Sequence, residues 1–116
     1  ANPSYKLFKS NTLGPSGGLM QTLSVYSEIT GFDYTYGKKI AGTGTISVDG
    51  TVGKIGGVSQ KIVTAIHNNA DIFLCPAENY EEALATYLKT PNHEKIILIK
   101  VSTFEEAINS LGGLYE

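Results

Sequence analysis

The second half of the chain alternates between segments with a helical spacing of apolar residues and short runs that are apolar throughout. This pattern predicts helices over residues 58–69, 80–88 and from 102 onward, a buried strand over 71–75 and a further strand over 95–101. Strands separated by a helix pair in parallel, because the crossover returns the chain to the same end of the sheet. The alternation therefore predicts a parallel sheet covered by helices, and few other arrangements can bury these segments.

The first half has a different pattern, which adds antiparallel structure. Two β-prone runs, residues 39–48 and 51–55, flank Asp49-Gly50 and predict a β-hairpin. A helix is expected over residues 16–30, ended by Gly31, and a short strand over residues 4–9. We therefore predict an α+β fold, a mixed sheet with a β-hairpin followed by αβαβα units, in a single domain over residues 1–116.

Composition excludes several classes of function. All nine basic residues are lysines, and with 11 acidic residues the net charge is −2, so we expect no nucleic-acid partner. Cys75 is the only cysteine, which rules out an internal disulfide and a cysteine-based zinc site. No apolar run approaches the roughly 20 residues that span a bilayer.

The sequence Gly-Pro-Ser-Gly-Gly at residues 14–18 places one serine at the start of a predicted helix. The first turn of a helix has free N–H groups and a partial positive charge. Backbone donors there, those of Ser16 and Gly14, could stabilise an oxyanion formed at Ser16. A serine that only caps a helix in a glycine-rich turn explains the same motif.

Serine needs a base to act as a nucleophile. His67 and His93 are the only histidines, and no motif links either to Ser16. Lys61 is predicted in the first turn of a second helix, where burial and the helix dipole both disfavour a charged amine. A solvated surface lysine is the alternative. Thr43 and Thr45 provide hydroxyls in a glycine-rich strand that could orient a lysine.

Three blocks in this order, residues 14–20, 40–46 and 53–61, resemble the proteolytic domain of Lon-type peptidases. The spacing of 45 residues between Ser16 and Lys61 is close to the family's, and weaker agreement extends to Leu111. The resemblance implies that Ser16 is the nucleophile, Lys61 the general base and Thr43 the residue that hydrogen-bonds the lysine. It also implies the Lon proteolytic-domain fold and endopeptidase activity on peptide or protein substrates through an acyl-enzyme.

The resemblance further implies that peptide hydrolysis needs no metal or cofactor and, in this chain, no ATP. Within that family, the sequence most resembles the PDZ-containing, membrane-anchored Lon-like proteases of Gram-positive bacteria. An extracytoplasmic, membrane-anchored parent protein is therefore expected, with a cytoplasmic one as the alternative. Because the family's domain begins several strands earlier, this chain is expected to be an N-terminally truncated fragment. Lon-type enzymes commonly form rings, so a homo-oligomer is also an expectation.

Two other functions compete with the peptidase. A glycine-rich loop before a helix can bind an anion, so residues 14–18 could belong to a phosphate- or nucleotide-binding module. The loop lacks the Gly-Lys-Ser/Thr ending of a P-loop, and the chain lacks arginine. A catalytically silent interaction domain is the other alternative.

Overall fold

A computed structural model describes residues 16–115 of the chain. Its helices are α1 (Gly18–Thr30), α2 (Val58–His67), α3 (Tyr80–Lys89) and α4 (Phe104–Tyr115). Its strands are β1 (Ile40–Gly42), β2 (Thr45–Ile46), β3 (Val52–Gly53), β4 (Ile72–Pro76) and β5 (Ile97–Val101). Short 3-10 turns, Ala77–Asn79 and His93–Lys95, precede α3 and β5. The predicted α+β class and the αβαβα order are confirmed, and the strand predicted over residues 4–9 lies outside the described residues.

The strands form two separate ladders. In the larger sheet, β4 lies between β1 and β5, and both neighbours pair with it in parallel. The smaller ladder joins β2 and β3 antiparallel. The parallel pairing predicted for the second half is therefore confirmed, and the carboxyl ends of β1, β4 and β5 all lie at one end of the sheet.

The central strand β4 is buried along its whole length and divides the core into two clusters. Phe73 and Cys75 pack with the apolar residues of α2 and α3. Ile72 and Leu74 pack with those of α1 and α4 on the opposite face. Because successive strand side chains point to opposite faces, one short apolar strand supports helices on both sides.

The predicted hairpin differs from the observed one. The run 39–48 does not form one hairpin strand, because it divides at Gly44, whose φ is +146°. Residues before Gly44 pair with β4 in the main sheet, and residues after it form the hairpin ladder with β3. Thr43 and Thr45 therefore do not belong to one continuous strand, and the two ladders remain distinct sheets.

Two helix starts also differ from prediction. The first helix begins at Gly18 rather than Ser16. The last begins at Phe104, and its start is capped by Thr103, whose hydroxyl accepts the N–H of Glu106 at 3.1 Å. The Glu106 carboxylate accepts the N–H of Ser102 in return. Thr103 and Glu106 together therefore satisfy two backbone N–H groups at the start of this helix.

Candidate active site

Ser16 lies in the turn immediately before α1 and is partly buried. Gly17 occupies the N-cap position, and no side chain of residues 16–115 caps the helix. Among residues 16–115, the backbone N–H groups of Ser16 and Gly17 have no hydrogen-bond acceptor. Such N–H groups beside a helix N-terminus can receive an anionic oxygen. Gly14, the other predicted oxyanion donor, lies outside the described residues.

The carbonyl of Ser16 is held by two donors from the end of β1. The N–H of Gly44 donates to it at 2.8 Å, and the Thr43 hydroxyl donates at 3.1 Å. The N–H of Leu19 donates in turn to the Gly44 carbonyl at 2.9 Å. Thr43 is only 2% exposed, so water cannot easily replace its hydroxyl in this contact. These three bonds fix the peptide unit of Ser16 against the main sheet.

Small residues allow this close approach between α1 and the strands. A Cβ atom on Gly18 would lie 3.1 Å from the backbone nitrogen of Ile46. A Cβ atom on Gly44 would lie 2.8 Å from a methyl group of Val52, at a φ of +146° that other residues rarely adopt. No sequence motif marked Gly44 as a residue that holds Ser16. Its position beside Thr43 in a glycine-rich run was the only indication available.

Lys61 lies in the first turn of α2, as predicted, and its N–H donates to the Gly57 carbonyl at 3.2 Å. Its side chain is exposed, so the expected burial is wrong for this structure. The reason is that Lys61 lines an open groove of about 470 Å³ between α2 and β1, with Gln60, Thr64 and Lys39.

The parallel topology brings Lys61 toward the same end of the sheet as Ser16. Lys39 precedes β1, and its Nζ donates to the carbonyl of Asn68, just after α2, so α2 runs antiparallel to β1. Lys61 precedes Asn68 by seven residues. Since a helix rises 1.5 Å per residue, this distance is about 10 Å toward the carboxyl end of β1. Thr43, which holds Ser16, directly follows that end.

No hydrogen bond joins Lys61 Nζ to Ser16 Oγ or to Thr43 within the described range, 16–115. The Thr43 hydroxyl donates to the Ser16 carbonyl instead. The assignments of Ser16 as nucleophile, Lys61 as base and Thr43 as the residue that orients Lys61 therefore stay predictions.

Other nucleophiles and bases are poorly placed. Burial, with a smaller contribution from the charge of Glu82, raises the pKa of Cys75 to about 12, so its thiol stays protonated at neutral pH. His67 ends α2 and His93 precedes β5, which places both at the amino end of the parallel sheet, away from Ser16. A Ser–His pair is thus incompatible with this topology.

Residues 16–115 contain neither a cluster of metal-ligating side chains nor a membrane-spanning helix. No group of three or more His, Cys, Asp or Glu residues there could hold a metal ion. None of the helices in that range is both long and apolar enough to cross a membrane.

Comparison with known proteins identifies the family to which this chain is similar. The family model for the Lon protease (S16) C-terminal proteolytic domain matches residues 11–111. Lon protease of Neorickettsia sennetsu is 35% identical over 95 residues, which is 82% of this chain and 11% of the relative. Lon protease 2 of Bacillus subtilis is 32% identical over 98 residues, 84% of this chain and 16% of the relative.

An archaeal relative matches to a similar extent. Archaeal Lon protease of Archaeoglobus fulgidus is 33% identical over 95 residues, 82% of this chain and 14% of the relative. The chain thus spans between 11% and 16% of the length of these relatives. Since the family model covers most of the chain, this protein belongs to the Lon protease (S16) C-terminal proteolytic domain family.

Proposed function

We propose that the chain is a serine endopeptidase domain with a Ser16–Lys61 dyad. Lys61 Nζ takes the Ser16 proton as Oγ attacks a peptide carbonyl, and the ammonium returns that proton to the leaving amine. Lys61 then takes a proton from the water that attacks the acyl ester, and the ammonium returns it to Ser16 Oγ as the carboxylic acid product leaves. No metal or cofactor takes part in these steps.

The observation that best supports this proposal is the pair of donors on the Ser16 carbonyl. The bonds from Gly44 and Thr43 restrict the backbone of the serine before any substrate arrives. A preorganised nucleophile lowers the barrier because its orientation costs no further entropy in the reaction. The backbone N–H of Ser16 would then stabilise the oxyanion, and we propose Gly14 as the second donor.

Because Lys61 is exposed, we propose that bound substrate helps to convert it into the neutral amine that acts as the base. A lysine accepts a proton only as the neutral amine, and exclusion of water disfavours the ammonium. A peptide bound over the open groove would exclude water from Lys61. We propose that Thr43 also orients the amine once substrate is bound.

The dyad is tested with Ser16→Ala and Lys61→Ala in the complete chain, assayed on a fluorogenic peptide and with an organophosphorus serine probe. Lys54→Ala is the matched control, because Lys54 is also an exposed lysine and lies outside the lining of the groove. Both dyad variants should lose cleavage at least about 1,000-fold with folding retained, while Lys54→Ala stays within about twofold. Wild-type turnover by either dyad variant would contradict the assignment.

The same assays distinguish the alternatives. His67→Ala should cleave normally, and its inactivity would restore a Ser–His interpretation. Absence of both cleavage and probe labelling in the wild-type chain would favour a silent interaction domain. Saturable nucleotide binding measured by calorimetry would favour a phosphate-binding module.

Three properties of the parent protein are proposed from the resemblance alone. Peptide cleavage should proceed without ATP. The parent should be an extracytoplasmic protein with a membrane anchor and a PDZ domain, detectable by accessibility to added protease in intact cells. It should form homo-oligomers, which light scattering would measure.

A further inference from the structure

Asn79 forms a contact that the dyad does not explain. It is 1% exposed, and its side-chain amide forms hydrogen bonds with both backbone polar groups of one residue, Ile55. Its Oδ1 accepts the Ile55 N–H at 2.9 Å, and its Nδ2 donates to the Ile55 carbonyl at 2.9 Å. Asn79 thus supplies the hydrogen bonds that a neighbouring strand would give to the backbone of Ile55. Ile55 itself belongs to neither ladder.

The location of Asn79 makes this contact unexpected. Asn79 is the N-cap residue of α3, where asparagine commonly bonds the N–H groups of its own helix. Its side chain makes no such bond and instead reaches a segment 24 residues earlier. The helix therefore lacks a cap bond that this residue type could supply, and the side chain holds another element.

The segment that Asn79 holds leads directly to Lys61. Ile55 is followed by Gly56 and then by Gly57, which begins α2 as its N-cap residue with a φ of +73°. Two successive glycines leave the direction of the chain poorly constrained. Lys61 is bonded to this start through the Gly57 carbonyl. Fixing Ile55 therefore fixes where the first turn of α2, and Lys61, begins.

Both residues of the proposed dyad are thereby held in place relative to the carboxyl end of β4. Asn79 follows the last residue of β4 by three positions. Thr43, which holds Ser16, donates its N–H to the Leu74 carbonyl of the same strand at 3.1 Å. We propose that Asn79 is a positioning residue that sets Lys61 against Ser16 through Ile55. The proposal rests on the proposed function of the dyad.

The test compares Asn79→Ala and Asn79→Asp with Thr86→Val in the complete chain. Thr86 is the matched control, because its hydroxyl donates to Ser59 of α2 at 2.9 Å and so also joins α3 to α2 without touching Ile55. The measurements are kcat and KM on a fluorogenic peptide, the rate of Ser16 labelling by an organophosphorus probe, thermal unfolding, and amide exchange over residues 55–61.

Asn79→Ala should lower kcat and the labelling rate about 10- to 100-fold with KM within about twofold, because small displacements of a reacting group have effects of that size. Exchange at residues 57–61 should rise. Asn79→Asp keeps the acceptor but sets a carboxylate oxygen against the Ile55 carbonyl, so it should show the same changes. Thr86→Val should keep kcat within about twofold even where it lowers the unfolding temperature.

A wild-type kcat in folded Asn79→Ala would overturn the proposal, as would equal losses of kcat in Asn79→Ala and Thr86→Val. If Asn79→Ala does not fold, Asn79→Asp decides by the same criteria. Failure of the dyad itself is distinguishable, because Ser16→Ala would then cleave as well as wild type. In that case the exchange over residues 57–61 still decides whether Asn79 holds the start of α2.

Discussion

The hydroxyl of Thr43 offers the sharpest test of how the serine is held. It donates to the Ser16 carbonyl at 3.1 Å and is 2% exposed. Thr43→Val removes the hydroxyl at nearly constant volume, and Thr43→Ser removes the methyl group and keeps the hydroxyl. The two variants therefore separate the hydrogen bond from the packing at one buried position.

Their effects on stability should be similar. Loss of one hydrogen bond costs about 1 kcal/mol, and no more is expected here because Gly44 still donates to the same carbonyl. Loss of one buried methyl group in Thr43→Ser costs about 0.8 kcal/mol. For a domain of this size, each change should lower the unfolding temperature by about 3–5 °C, measured by circular dichroism.

Their effects on catalysis should differ. Thr43→Val removes one of the two hydrogen bonds to the Ser16 carbonyl, so kcat should fall about 10- to 100-fold below that of Thr43→Ser. This fall corresponds to an increase of about 1.4–2.7 kcal/mol in the activation free energy. KM should change little, because Thr43 is buried away from the groove lining. Equal kcat values in the two variants, at equal stability, would refute the role of the hydroxyl.

Three further predictions concern Gly44, Cys75 and Asp49. Gly44→Ala should lower the unfolding free energy by at least about 2 kcal/mol in urea titrations, because a positive φ is strained for alanine and its Cβ would meet Val52. Cys75, with its pKa raised to about 12 mainly by burial, should react with iodoacetamide at pH 8 roughly 1,000-fold more slowly in the folded than in the unfolded chain. Hydrogen bonds from Ser47 and then Thr51 lower the pKa of Asp49 from 3.8 to about 2, so the stability of wild type relative to Asp49→Ala should be constant above about pH 5 and decline as the pH falls toward 2, as followed by thermal unfolding.

Local sequence patterns predicted the second half of the chain because its elements are specified locally. The apolar run that becomes β4 and the helical spacing in α2 need no distant residue to be recognised. The first half was predicted less well at Gly44. There the division of one β-prone run into β1 and β2 depends on bonds from residues 43 and 44 to Leu74 and Ser16, which no local pattern contains.

The candidate site shows the same division between local and distant information. Ser16 and Lys61 stand out because each lies in a glycine-rich helix start, a feature that the sequence displays directly. Asn79 does not stand out, because an asparagine at the start of a helix is typical of an ordinary cap. Only the folded chain reveals that its side chain bonds Ile55 instead.

In the proposed dyad, the parallel topology rather than the residue type favours lysine over histidine as the base of Ser16. The sequence contains both histidine and lysine, and histidine is the commoner partner of a catalytic serine. Since β1, β4 and β5 are parallel, each connecting helix starts at the carboxyl end of the sheet and ends at the amino end. Lys61 lies in the first turn of such a helix and His67 at its last residue, so the same helix brings the lysine toward Ser16 and carries the histidine away. The proposed base therefore comes from the start of a connecting helix, and among the basic side chains of α2 only Lys61 is placed there.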